Sequence, residues 1–165
     1  MKRQIRKSVF ESNSSSMHSL TVSVNDMWDT LKVDEFENKV ITKFDEFGWE
    51  VESYIDAATK LSYIVTMLVE THCDVYSMEE LEETEDFKLI NDVVANYCNC
   101  DGIRIDSRLE QEEWNGKTYD WNDHDGYIDH QSVMGVKKLL EEYGCTMEEF
   151  IFNKGVVLHI DNDNH

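Results

Sequence analysis

Leu20, Val22 and Val24 alternate with Thr21 and Ser23. That is the period of a strand with one buried face, and it predicts a strand over 19–24. A second short strand is expected over 3–9. The polar run Glu11-Ser12-Asn13-Ser14-Ser15-Ser16 between them reads as a turn, because Ser and Asn side chains bond to nearby backbone. A short helix is expected from Asn25, an N-cap residue type, through Lys32.

The period then lengthens. Between about Trp49 and His72, Tyr54, Ala57, Ala58, Leu61, Ile64, Val65 and Leu68 share one face at three- and four-residue spacing, which predicts a long helix. Ser77-Met78-Glu79-Glu80 has the form of a capping box and opens an acidic helix running, with room for a break, to about Tyr97. Its apolar side would be Met78, Leu81, Leu89, Val93 and Val94. Beyond Cys100 alternation returns with Ile103 and Ile105, and Asn115-Gly116 predicts a tight hairpin turn. Ser132 to Tyr143 reads as a helix stopped at Gly144, and Thr146-Met147-Glu148-Glu149 as a second capping box for a helix ending near Asn153. Val156 to Ile160 is the last predicted strand. The expected fold is α+β: one compact domain over 1–165, with a short sheet that includes terminal strands packed against several helices.

Composition supports one core and adds a charge. The chain has 165 residues, no proline and seven glycines, so no linker divides it. It is 41% hydrophobic, enough for a core, and its 35 acidic against 15 basic side chains give a net charge of −20. Residues 74–129 hold seventeen Asp and Glu and four Lys and Arg, so this third carries most of the charge. Affinity for a phosphate backbone rests on Lys and Arg releasing counterions, so direct nucleic-acid binding is not expected. The longest apolar run, Leu61 to Val69, is broken by Ser62, Tyr63 and Thr66 and is too short for a membrane span. The basic start is followed by ESNSSSMHS rather than an apolar stretch, unlike a secretory signal. A cytoplasmic location is expected.

An acidic surface has two readings. It can be a solvated face that keeps the protein soluble, or a surface shaped for the basic channel of a nucleic-acid enzyme. In the second case Glu79, Glu80, Glu82, Glu83, Glu85 and Asp86 on the acidic helix are the candidate partner-binding residues.

Four cysteines, Cys73, Cys98, Cys100 and Cys145, lack C-x-x-C spacing and a secretory context. They are expected as free, mostly buried thiols rather than as a zinc site with His72. Asp120 to His130 invites a calcium reading, with Gly126 at the invariant glycine of an EF-hand loop. That alignment puts Trp121 and Ser132 where a carboxylate and a bidentate Glu are required, so a regular EF-hand is rejected. Looser coordination of a divalent metal stays open, without a complete motif to support it. In the N-terminal turn, His18 lies close to Ser14 and Ser16 and is a candidate base toward a serine, although only spatial geometry makes such a site.

The run R-K-x-V-F-E-x-N-S-S-S-x-H-S, Arg6 to Ser19, resembles the start of a group of proteins encoded by bacteriophages and prophages of low-GC Gram-positive bacteria. D-G-Y-I-D-H-Q-S, Asp125 to Ser132, is similar to a second motif of that group. The endings at Phe150 to Asn153 and Asp161 to Asn164 are similar to a third. The helical middle is unmatched, and the group brings no activity with it. The resemblance implies that three polar segments converge. Asn13, Asp129, Gln131, Ser132, Asp161 and Asp163 would then bind a ligand, with Ser14, Ser16, His18 and His130 as the catalytic candidates. Two functions follow as expectations. The first is a small phage-encoded protein that inhibits a host or defence protein through a basic surface, mimicking nucleic acid. The second is an enzyme or small-ligand binder acting on a nucleotide or phosphoester at the convergent Ser/His/Asp segments.

Overall fold

The helix α1, Ala57–Thr71, is buried on nearly every side from Leu61 to Val69, with the described strands and helices packed around it. The computed structural model describes residues 16–23, 27–129 and 135–162. Asp56 caps α1 by accepting from the Thr59 N–H at 2.8 Å. A helix enclosed this way must satisfy its polar side chains internally. Thr66 donates to the Ser62 carbonyl at 2.8 Å and accepts from the Asp45 N–H, while Ser62 donates to the Lys43 carbonyl. Lys60 is 0% exposed, and its ammonium donates to the carbonyls of Asn153 (2.9 Å) and Val156 (3.1 Å).

Against α1 stands an antiparallel sheet of three strands in the order β1 (Ser16–Val22), β9 (Val156–Asn162) and β4 (Glu52–Tyr54). Its inward positions include Leu20, Leu158 and Ile160, all buried. Two parallel pairs complete the wall: β2 (Val40–Thr42) with β5 (Ile103–Ile105), and β3 (Glu46–Phe47) with β8 (Tyr127–Ile128). Helices α2 (Met78–Glu83), α3 (Glu85–Cys98), α4 (Val136–Tyr143) and α5 (Met147–Phe152) close the core. The fold is mixed α and β, as the pattern predicts.

Most local signals hold. Thr146 and Glu149 form the reciprocal capping box of α5, and α4 stops at Gly144 as expected but begins at Val136, after a non-helical Gly135, rather than at Ser132. β6 (Leu109–Trp114) and β7 (Lys117–His124) make a hairpin. Its turn residues Asn115 (φ 51°) and Gly116 (φ 69°) are both left-handed, the geometry that matches strand twist and favours Asn-Gly. Ser77 caps α2, but Glu80 reaches back to the N–H of Tyr76 rather than to that of Ser77. A break at Thr84 separates α2 from α3, and Thr84 caps the latter.

Four expectations need correction. Residues 27–32 are not helical. Trp28 bridges to Asn153 and stacks on Tyr97, and Asp29 accepts from the Ala57 N–H at 3.0 Å, so this segment is spent on capping α1 and lining α5. The long helix begins at Ala57 rather than near Trp49, because 52–54 pair with β9 and Asp56 fixes the start. Leu89 is exposed, and Phe87 and Ile90 turn inward in its place. Of the thiols only Cys145 is buried; Cys98 and Cys100 are half-buried and Cys73 is exposed. The strand expected over 3–9 lies outside the described residues.

Candidate functional site

Alternation along β1 turns His18 inward, beside Leu20, and leaves it 8% exposed. Its Nδ1 lies 2.7 Å from the hydroxyl of Tyr63, which rises from the middle of α1. Tyr63 is enclosed by Phe47, edge-on at 5.2 Å between centroids, and by Phe150. Burial, with the neighbouring Tyr143, holds its phenol protonated far above the ordinary range. The Tyr143 hydroxyl lies 3.5 Å from the His18 carbonyl. A buried imidazole and phenol bonded in this way, within a shell that includes Phe47 and Phe150, lock strand to helix. As a base His18 would need its substrate brought into that shell.

Strand pairing joins the first and last of the three polar segments. Ser16 lies opposite Asn162, Met17 opposite Asp161 and His18 opposite Ile160. Of the middle segment, Asp129 is described. Asp129 follows β8 and donates its N–H to the Phe47 carbonyl at 2.8 Å, and the Phe47 ring packs edge-on against Tyr63, the partner of His18. Asn13, Ser14, His130, Gln131, Ser132 and Asp163 lie outside the described residues.

Sequence reading missed His159. It sits on the outward face of β9, between the buried Leu158 and Ile160. Ser53 Oγ lies 2.8 Å from Nδ1, and Thr21 Oγ1 2.8 Å from Nε2. One imidazole thus ties β4, β9 and β1 together across the sheet. Its alternation with Leu158 and Ile160 was a readable signal of an outward residue, but its hydroxyl partners are distant in sequence.

The carboxylates of the rejected calcium loop hold a guanidinium instead. Arg108 reaches Asp123 and Glu110 through Nη1 (2.7 and 2.8 Å) and Asp125 through Nε (3.3 Å). Asp125 is held below its ordinary range by the Arg108 backbone N–H first and then by the guanidinium. Between these acids His124 turns inward, its Nε2 3.6 Å from Glu70. Burial lowers the His124 pKa and raises that of Glu70, so both are pushed toward their neutral forms. Among the described residues no three His, Cys, Asp or Glu side chains gather to hold a metal ion.

Of the acidic-helix candidates, several are engaged within the chain. Glu83 pairs with Lys88, Glu85 with Lys137, and Asp86 with both His72 and Lys137. Glu80 accepts from the Tyr76 N–H. Glu79 and Glu82 point to solvent with no ion pair among the described residues. The acid extends beyond the helix. Asn122 of β7 donates to the carbonyls of His72 and Val75, which brings the hairpin against the turn before α2. The Tyr76 phenol there is raised by partial burial first, then by Asp120 of the hairpin, and further by Cys73, Asp74 and Glu80. The hairpin strand that carries Asp120 thus lies against the turn that carries Asp74 and leads into α2.

No family model, no curated protein and no solved structure matches the chain. No described helix is long and apolar enough to cross a membrane.

Proposed function

We propose that this protein binds a partner protein through its acidic surface, occupying a basic face that otherwise receives nucleic acid. The observation that carries the reading is the contact between two acidic elements: Asn122 bonds the hairpin strand that carries Asp120 to the turn that carries Asp74 and leads into α2. One element of like charge is what any soluble protein displays. Two distant elements fixed side by side by the Asn122 bonds give an extended field of one sign, which steers a basic partner. The resemblance of Arg6 to Ser19 and Asp125 to Ser132 to phage-encoded proteins supports a host or defence protein as the target. The alternative, a Ser/His/Asp enzyme, has less support among the described residues, because His18 is committed to Tyr63 in the core.

The test is capture from a lysate of a low-GC Gram-positive bacterium on the immobilised protein, at low and at high salt. The expected result is a nucleic-acid-handling protein retained at low salt, released at high salt and displaced by DNA. Retention of nothing salt-sensitive, or of a partner indifferent to DNA, overturns the reading.

A further inference from the structure

The outer face of the β6–β7 hairpin carries a row of three aromatic rings. Trp114 is 64% exposed and Trp121 47%. Tyr119 stacks on Trp121, centroids 4.6 Å apart and planes within 24°, and Trp114 lies 6.4 Å beyond Tyr119. A ribbon of two strands has no core of its own in which to bury such rings, and both tryptophans stay exposed. They are also presented deliberately by the backbone. Between the Gln111–Asn122 and Glu113–Thr118 pairs the register slips, with β7 holding more residues than β6, and Tyr119 to Trp121 occupy that bulge. Such irregularities bend a strand and re-aim its side chains.

We infer that this face is a docking site for an arginine-rich segment of the partner, which stacks guanidinium planes on Trp114, Tyr119 and Trp121. The inference rests on the acidic-surface reading above and names the part of the surface that confers specificity.

Charge complementarity selects the occupant. Aromatic rows stack flat ligands, and nucleobases and guanidinium groups are both flat. Residues 108–125 carry six acidic and two basic side chains, so a phosphate backbone is repelled where a cation is drawn in. Glu112 accepts from the Trp121 indole N–H, placing a carboxylate at the edge of the stack. The same ribbon already holds one guanidinium, with Arg108 forked among Glu110, Asp123 and Asp125 at its base. Arginine suits this combination better than lysine, because its planar group stacks on rings while its edge donates to carboxylates.

The experiment measures anisotropy of a dye-labelled nona-arginine peptide titrated with the full chain at low salt, beside nona-lysine and a single-stranded oligonucleotide. Nona-arginine is expected to bind saturably, about threefold or more tighter than nona-lysine, with no binding of the oligonucleotide. The double variant Trp114→Ala/Trp121→Ala should weaken nona-arginine about tenfold, with an unchanged melting temperature because both rings are exposed. The control Glu79→Gln/Glu82→Gln should weaken it less than the aromatic variant does. Should the double variant melt early, Trp114→Ala alone, beside the turn, carries the test. Equal affinity of wild type and aromatic variant overturns the inference and leaves the acidic-surface reading standing. Binding of the oligonucleotide instead of the peptide overturns both, as does the absence of any peptide binding at low salt.

Discussion

His18 has the composition of a catalytic residue and the surroundings of a structural one. A histidine near serines in an unusual motif suggests a base, yet its ring nitrogen is 2.7 Å from a buried phenol. Replacing it by Ala deletes a buried ring and leaves the Tyr63 hydroxyl without that partner. His18→Ala is therefore expected to destabilise the fold by about 2–4 kcal/mol, read by denaturant unfolding. A variant that melts like wild type would restore the enzyme reading. Lys60 offers a second check. Burial lowers its pKa to about 8 from 10.5 in the unfolded chain. The folded state thus binds this proton more weakly, so the penalty is complete below pH 8 and is relieved as pH rises toward 10.5. The stability difference between wild type and Lys60→Met should move in favour of wild type across that window; a flat difference would contradict the assignment. His18 shares the alternation phase of Leu20 and Val22 and so was readable as inward once β1 is extended to it, whereas Lys60 was not legible as buried. Helix periodicity shows a face, and α1 has almost no solvent face left to contrast with it.

At the scale of elements, capping residues and turns were the readable part. Thr146 with Glu149, Ser77, Gly144 and the Asn115-Gly116 turn all act as their types predict, because each works through bonds within a few residues. Segments whose conformation is set by distant partners were not readable. Residues 27–29 are extended because Trp28 and Asp29 find α5 and α1, contacts that no local pattern announces. Gly126 shows the same lesson inside a recognisable motif. In D-G-Y-I-D it looks like the glycine of a metal loop, but a Cβ there would lie 2.6 Å from the Phe44 Cβ and 2.9 Å from the Thr66 Cγ2. The residue is small so that β8 can approach α1. Gly126→Ala is expected to cost about 1–3 kcal/mol by overpacking, whatever the metal content of the buffer. A loss that calcium restores would contradict this and revive the cation site. The convergent Ser/His/Asp site was legible to the extent that β1 pairs with β9, which brings Ser16 and Asp161 onto adjacent strands. Asp129 is placed instead by its bond to the Phe47 carbonyl, a contact distant in sequence that no local pattern reveals.

For the whole molecule, the net charge of −20 was plain from composition, and so was its concentration over 74–129. Its arrangement was not. The helix carboxylates predicted as the binding face are partly spent on Lys88, Lys137 and His72, whereas the hairpin adds acid and exposed aromatic rings beside them. A surface assembled from two elements should bind by long-range attraction first and by ring stacking afterwards. Salt and mutation then act on different rate constants: salt chiefly on association, removal of Trp114 and Trp121 chiefly on dissociation. The association rate constant of the captured partner, measured against ionic strength, tests this most directly. A fall of about tenfold or more between low and high salt is expected, with the slope reduced when Glu79, Glu82 and Asp120 are neutralised. An association rate indifferent to salt would contradict it.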